Sequence, residues 1–164
     1  MIHSPANDLS KEISVGMGQA VVTREPARLT AILGSCVAIA LYAPRLRLGM
    51  LGHVVLPNCN GSSIASPAKY ADTAVPHMLA VMQAHGARPG ELIAKLAGGA
   101  CLFGGGQFMD IGQSNARVAV AALEAAHVRI AARDVAGTMG RRICFDLATG
   151  GLTVASPGKP SQTI

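Results

Sequence analysis

Two apolar runs set the architecture of this chain: residues 36–42 are CVAIALY, and residues 48–56 are LGMLGHVVL. Both are short and rich in strand-forming residues, so each predicts a β-strand. The residues between them, APRLR at 43–47, are typical of a turn. Two strands joined by so short a loop pair antiparallel, which places the start of the first near the end of the second.

This predicted hairpin brings a cysteine close to a histidine. Cys36 follows Gly34 and Ser35 on a tight turn, and His53 lies near the end of the second strand. A cysteine attacks only as its thiolate, and little thiolate exists at neutral pH unless an imidazole or backbone donors stabilise it. His53 is the candidate imidazole. Thr30, just upstream of Cys36, is a candidate third member of the site. The spacing is compatible with the dyad of a cysteine hydrolase.

Other interpretations of these residues stay open. A cysteine among apolar neighbours is usually a small buried hydrophobe, and a lone histidine beside valine is usually a core residue. Ser35 is a second candidate nucleophile, although it lacks the Gly-x-Ser-x-Gly surroundings of a hydrolase elbow.

The composition argues against nucleic-acid binding, zinc and disulfides. The net charge of +5 comes from dispersed basic residues and favours acidic partners. The chain has three Phe, two Tyr and no Trp. Few aromatic side chains could therefore stack on bases, so nucleic-acid binding is disfavoured. The cysteines form no C-x-x-C pair, which argues against both a zinc site and a disulfide framework. We therefore expect free thiols at Cys36, Cys59, Cys101 and Cys144.

A chain of 164 residues has the size of one domain. We expect a flexible N-terminus at 1–11, a folded domain at 12–155, and a flexible tail at 156–164 that is rich in Ser, Pro and Gly. No apolar run approaches the length of a membrane span, and charged residues interrupt any signal-peptide core near the N-terminus. These features predict a cytoplasmic protein.

Helical and strand patterns alternate through the rest of the chain. Apolar residues recur at helical spacing from Ala71 to Met82, with Pro76 inside the pattern, so this helix should either kink or restart at the proline. A second helix is predicted in residues 112–127. Short apolar segments predict further strands near 93–96, 128–131, 143–147 and 152–154. Many strands with two substantial helices indicate an α+β (α/β) fold, layered within a single domain.

Glycines cluster after the strand predicted at 93–96, as Gly98-Gly99 and Gly104-Gly105-Gly106. A phosphate-binding loop is one interpretation of this cluster. However, no Gly-Lys-Ser/Thr closes the loop, and no Rossmann spacing leads from a strand into a helix. Turn and packing glycines are the favoured interpretation.

Five motifs lie one after another between about Val15 and Val154. They are LGSCV (33–37), GHVVLP (52–57), KLAGGA (95–100), IGQSN (111–115) and the segment from Asp134 through Gly140-Arg141. Together they resemble the chemotaxis protein CheD, a family of chemoreceptor glutamine deamidases. One departure is Ala136, where the family usually has a second glycine before Gly137.

The resemblance implies a site and a fold. It assigns the nucleophile to Cys36, the base to His53 and the third position of a triad to Thr30, with Gly34 and Ser35 in the turn that holds the oxyanion. It also implies a layered sandwich of mixed β-sheets with two main helices, like that of the deamidating-toxin cysteine hydrolases. The chemistry needs no metal or organic cofactor.

The resemblance further implies a substrate and partners. Glutamine side chains of methyl-accepting chemotaxis receptors would be converted to glutamate, which supports adaptation. A first alternative is a mainly non-catalytic partner of these receptors or of a CheC-type phosphatase. A second alternative is another thiol hydrolase, such as a protease or esterase, which release of ammonia without chain cleavage would exclude.

Overall fold

The computed structural model describes residues 11–61, 65–104 and 110–164. In these ranges the chain forms two five-stranded sheets and two α-helices, and no helix there is long and apolar enough to cross a membrane. The helices are α1 (Ala71–Ala84) and α2 (Ile111–Ala125). The strands are β1 (Lys11–Ser14), β2 (Ala20–Arg24), β3 (Ala27–Leu33), β4 (Val37–Ala43), β5 (Leu48–Val54), β6 (Ile93–Gly98), β7 (Arg129–Val135), β8 (Arg141–Asp146), β9 (Gly151–Ala155) and β10 (Gln162–Thr163).

The sheets and helices form three layers. The outer sheet has the strand order β1-β3-β8-β9-β10, and the central sheet has the order β2-β5-β4-β6-β7. One face of the central sheet packs on the outer sheet, and both helices pack on its other face. The predicted α+β layered sandwich with mixed sheets and two main helices is therefore confirmed.

The predicted hairpin forms the middle of this sandwich. Strands β4 and β5 pair antiparallel from Val37 opposite Val54 to Ala43 opposite Leu48, and every residue of both strands is buried. On β4, Val37 and the alternate residues after it pack with the helices, while Ala38 and its alternates face the outer sheet. Because both faces are covered, the strands have continuous apolar sequences instead of alternating ones.

Pro76 does not interrupt the first helix. Helix α1 runs without a break from Ala71 to Ala84, so the restart considered from the sequence does not occur. The residue is exposed, whereas Ala74, Val75 and Met78 are buried. Proline has no N–H, so the carbonyl four residues earlier loses its helical hydrogen bond. Because Pro76 lies on the water-facing side, water can bond to that carbonyl, which reduces the cost of the proline to helix stability.

A short strand lies within residues 156–164, the predicted flexible tail. Residues Gln162 and Thr163 form β10, which pairs antiparallel with Val154 and Thr153 of β9. The N–H of Ile164 also donates to the Leu152 carbonyl at 2.9 Å. The Ser, Pro and Gly residues of the tail form a turn, and the chain after it satisfies the otherwise unpaired edge of β9.

The close approach of the two sheets at Gly49 yields a testable prediction. A Cβ on Gly49 would overlap the Leu147 side chain and lie 2.8 Å from Phe145 Cε1. We expect Gly49→Ala to lower the free energy of unfolding by about 1–3 kcal/mol through overpacking. The matched control is Gly90→Ala, whose Cβ meets nothing within 4 Å and should leave stability nearly unchanged. Urea denaturation of both variants checks this, and equal midpoints would contradict it.

Candidate active site

The hairpin places Cys36 and His53 at the same end and on the same side of the central sheet. His53 on β5 is directly opposite Ala38 of β4, and Cys36 comes one residue before β4 begins. Cys36 packs with Ala38 in the core between the two sheets. Both side chains are buried, with 7% of Cys36 and 3% of His53 exposed. The structure thus places the thiol and the imidazole that the sequence singled out on the same face, at the same end of the hairpin.

The imidazole of His53 is held by a backbone carbonyl. Its Nδ1 lies 2.9 Å from the carbonyl oxygen of Val15, just after β1. Because a carbonyl only accepts hydrogen bonds, Nδ1 carries the proton and donates it. The other ring nitrogen, Nε2, is buried and has no hydrogen-bond partner among the described residues. In neutral His53 this nitrogen is therefore a free base, oriented by the bond at Nδ1.

The structure does not bring the Thr30 hydroxyl to His53. Along β3, Leu29 and Ala31 are buried against the central sheet, whereas Thr30 lies on the opposite face, paired with Ser14 and Cys144 on the neighbouring strands. The hydrogen-bond partner of His53 Nδ1 is the Val15 carbonyl instead of the Thr30 hydroxyl. The backbone carbonyl of Thr30 does accept a hydrogen bond from the Val15 N–H at 2.8 Å. Thr30 thus supports the orienting residue through its backbone.

Sequence reasoning missed Val15 because every residue has a carbonyl, so an orienting carbonyl leaves no signal in the sequence. A signal for Thr30 did exist. Residues 27–33, ARLTAIL, alternate with period two, and this places Thr30 on the same face as Arg28 and Ile32, opposite the apolar Leu29 and Ala31.

The turn that carries Cys36 is held by the glycine-rich loop that follows β6. The N–H of Ala100 donates to the Gly34 carbonyl at 3.0 Å, and the N–H of Gly99 donates to the Cys36 carbonyl at 2.8 Å. Gly98 has φ +106°, and a Cβ there would overlap the Cys36 carbonyl oxygen. These glycines therefore permit backbone contact, as the favoured interpretation predicted. Gly105 and Gly106 lie outside the described residues.

A second turn supports this loop from the other side. The N–H of Ala136 donates to the Gly98 carbonyl at 3.0 Å, and the Arg141 guanidinium donates to the Ala136 carbonyl at 2.7 Å and to the Asp134 carboxylate at 2.9 Å. Ala136 has φ +69°, in the left-handed region that favours glycine. The departure from the usual glycine thus leaves the turn in place, at the cost of some backbone strain.

The resting thiol is not activated. Burial raises the pKa of Cys36 above its ordinary value, because the charged thiolate is poorly solvated between the sheets. No hydrogen bond joins Cys36 to Nε2 among the contacts of the described residues. No disulfide joins the four cysteines either, all of which lie in the described ranges. An activated Cys36 requires a proton transfer that the resting geometry has not made.

The raised pKa predicts how Cys36 reacts in the free protein. We expect its alkylation by iodoacetamide to accelerate as the pH rises, and to reach half of its maximal rate only above the ordinary pKa of a thiol. Peptide-resolved mass spectrometry after short labelling pulses between about pH 6 and about pH 10 measures this rate. A plateau already reached near neutral pH, and abolished in His53→Ala, would show instead that an ion pair exists before substrate binds.

Comparisons with known proteins identify the family of this chain. Residues 55–156 match the family model described as CheD chemotactic sensory transduction. A protein from Desulforamulus reducens is 38% identical over 158 residues, which cover 93% of this chain and 95% of the relative. Relatives from Moorella thermoacetica and Methanococcus vannielii are also 38% identical, covering 94% and 87% of this chain and 96% and 93% of their own lengths.

All three relatives carry the name probable chemoreceptor glutamine deamidase CheD. The family model begins just after His53, whereas the alignments with the relatives span nearly the whole chain. On the extent of both matches, this chain belongs to the CheD family.

Proposed function

We propose that this protein is a chemoreceptor glutamine deamidase in which Cys36 is the nucleophile and His53 is the general base and acid. The observation that carries the assignment is the free, buried Nε2 of His53 at the same end of the hairpin as the Cys36 turn. The names of the relatives supply the substrate class. Because most buried polar groups are hydrogen-bonded, a buried ring nitrogen without a partner favours a catalytic role over packing alone.

The reaction begins with proton transfer from the thiol to the imidazole. Cys36 Sγ gives its proton to His53 Nε2 and attacks the carboxamide carbon of a receptor glutamine, forming a C–S bond. The raised pKa of Cys36 makes this transfer unfavourable in the free enzyme, so the thiolate forms as the substrate arrives. The imidazolium then forms in a site with little water, where it stabilises the thiolate more strongly than it would in solvent.

The imidazolium next supplies the proton that ammonia needs to depart. The C–N bond breaks as His53 Nε2 protonates the leaving nitrogen, and a thioester remains on Cys36. A water deprotonated by Nε2 attacks this thioester, which releases glutamate and regenerates the thiol. Throughout the cycle the Val15 carbonyl accepts from Nδ1, and it becomes a stronger partner whenever the ring is charged.

The oxyanion of both tetrahedral intermediates needs donors near Cys36. We assign this role to the turn Gly34-Ser35-Cys36, with the Cys36 N–H as its main donor. The Gly34 and Cys36 carbonyls accept hydrogen bonds from the N–H groups of Ala100 and Gly99, so both carbonyls point toward the glycine-rich loop. A preorganised donor of this kind contributes about 3 kcal/mol to stabilising the transition state.

The assignment of the nucleophile is tested by cysteine replacement. We expect Cys36→Ala to abolish conversion of glutamine to glutamate in a receptor cytoplasmic fragment, because no other group can form the thioester. The matched control is Cys144→Ala, a half-buried thiol on the far face of the outer sheet, which should keep most of its activity. Mass spectrometry of the fragment, with ammonia release measured in parallel, checks both. Cleavage of the fragment instead of deamidation would support the protease alternative.

The placement of Thr30 yields a separate prediction. Because its side chain lies on the face of β3 away from His53, Thr30→Val should keep the deamidation rate within about threefold of the parent. The substitution keeps the shape and strand preference of threonine, so the fold should be preserved. A loss of tenfold or more at unchanged thermal stability would return the hydroxyl to the triad that the family resemblance implies.

A mainly non-catalytic role remains the alternative function. The two are separated by measuring the effect of Cys36→Ala on receptors beside its binding and its deamidation activity. A binding module would keep that effect without the thiol, whereas a deamidase would lose it. A CheC-type phosphatase as a further partner and a cytoplasmic location stay predictions.

A further inference from the structure

Asn115 is a fully buried polar residue that the mechanism above does not use. It lies in the second turn of α2 and has no exposed surface. Its Nδ2 donates to two backbone carbonyls at 3.0 Å each, those of Ser35 and Val55. Its Oδ1 is buried without a hydrogen-bond partner among the described residues.

The orientation of this amide is fixed by its surroundings. If the amide were turned over, Oδ1 would face two carbonyl oxygens, and three acceptors would repel one another. The observed orientation leaves one acceptor unsatisfied, which is costly for a buried group. A small apolar residue at this position would avoid that cost, so the two hydrogen bonds from Nδ2 are the feature that accounts for an asparagine here.

The two carbonyls lie where the hairpin ladder ends. The β4–β5 pairing stops at Val37 opposite Val54. Beyond it the strands separate: the Val55 N–H donates to Lys69, whereas the Cys36 carbonyl accepts from Gly99. Asn115 spans the resulting gap, with Ser35 directly before the nucleophile on one side and Val55, two residues after His53, on the other. A single side chain thus links the two segments that carry the reacting groups.

The hydrogen bond to Ser35 also sets the direction of the Cys36 N–H. The Ser35 carbonyl and the Cys36 N–H belong to one planar trans peptide, in which they point in opposite directions. Asn115 holds the carbonyl toward α2, on the helix side of the central sheet. The Cys36 N–H is therefore aimed toward the other side, where the Cys36 side chain packs between the sheets.

The close seating of α2 makes this reach possible. A Cβ on Gly112 would lie 2.5 Å from the Gly99 carbonyl, so only glycine lets the helix approach the loop this closely. The Asp110 carboxylate caps the helix by accepting from the Gln113 N–H at 3.0 Å. With its first turn fixed in this way, α2 places Asn115 at a defined depth in the core.

We propose that Asn115 is a positioning residue that aims the Cys36 N–H at the oxyanion and keeps the His53 strand in place beside it. The inference rests on the proposed function, because an oxyanion forms only if Cys36 attacks a carboxamide. Asn115 itself touches neither the substrate nor the reacting atoms.

The test separates oxyanion stabilisation from general damage to the site. Alkylation of Cys36 by iodoacetamide needs the thiolate but forms no oxyanion, whereas deamidation needs both. We expect Asn115→Ala to lower kcat for a receptor fragment about 100-fold, as loss of an oxyanion donor does, while KM and the Cys36 alkylation rate at alkaline pH change less than about threefold. Ser114→Ala, one residue earlier on α2, is the matched control and should leave all three quantities near those of the parent.

The remaining outcomes each decide the question. Unchanged kcat in Asn115→Ala, or a parallel fall of kcat and alkylation, overturns the inference. If Asn115→Ala does not fold, Asn115→Ser is the second variant. Serine leaves a smaller cavity, but its hydroxyl is too short to reach both carbonyls, so we expect the same loss of kcat. Failure of both variants to fold would make Asn115 a structural residue and also overturn the inference. An inactive parent enzyme would instead refute the proposed function.

Discussion

The pairing of β4 with β5 is the interaction on which the rest of this structure depends. Every residue of the two strands is buried, and the side chains of β4 alternate between the core beneath the helices and the core between the sheets. A one-residue slip in this ladder would exchange the two faces and disrupt both cores at once. The register is therefore strongly specified, and the same register places His53 beside the Cys36 turn.

The orientation of the His53 imidazole depends on the contact between the two sheets. Val15 directly follows a strand of the outer sheet, and its carbonyl reaches across to His53 on the central sheet. The N–H of Val15 is held in turn by β3. Burial between the sheets raises the pKa of the Cys36 thiol, and in the proposed mechanism it also strengthens the ion pair once a proton has moved.

Segments that are far apart in the sequence converge on the turn before Cys36. The glycine-rich loop contacts the turn through backbone hydrogen bonds, α2 packs against that loop at Gly112, and the segment from Asp134 to Arg141 holds the loop from its other side. Most of these contacts involve backbone groups at close range. This explains why the five motifs of this chain are rich in glycine.

Local sequence patterns determined much of this protein. The apolar runs predicted the hairpin, helical spacing predicted α1 and α2, and the Gly-Ser-Cys turn with His53 predicted the thiol and the imidazole at one end of the hairpin. These features depend on residues close in the chain or on periodicity, both of which can be recognised in a single sequence.

Tertiary structure alone decided the partners of these residues. The Val15 carbonyl at His53 has no sequence signature, because all residues have the same backbone. The last residues, with a composition typical of a flexible tail, form a strand because the edge of β9 offers unpaired hydrogen-bonding groups. Asn115 meets Ser35 and Val55 only because α2 packs against the glycine-rich loop across a long sequence separation. Such contacts depend on how the layers pack, and this is fixed only when the whole chain has folded.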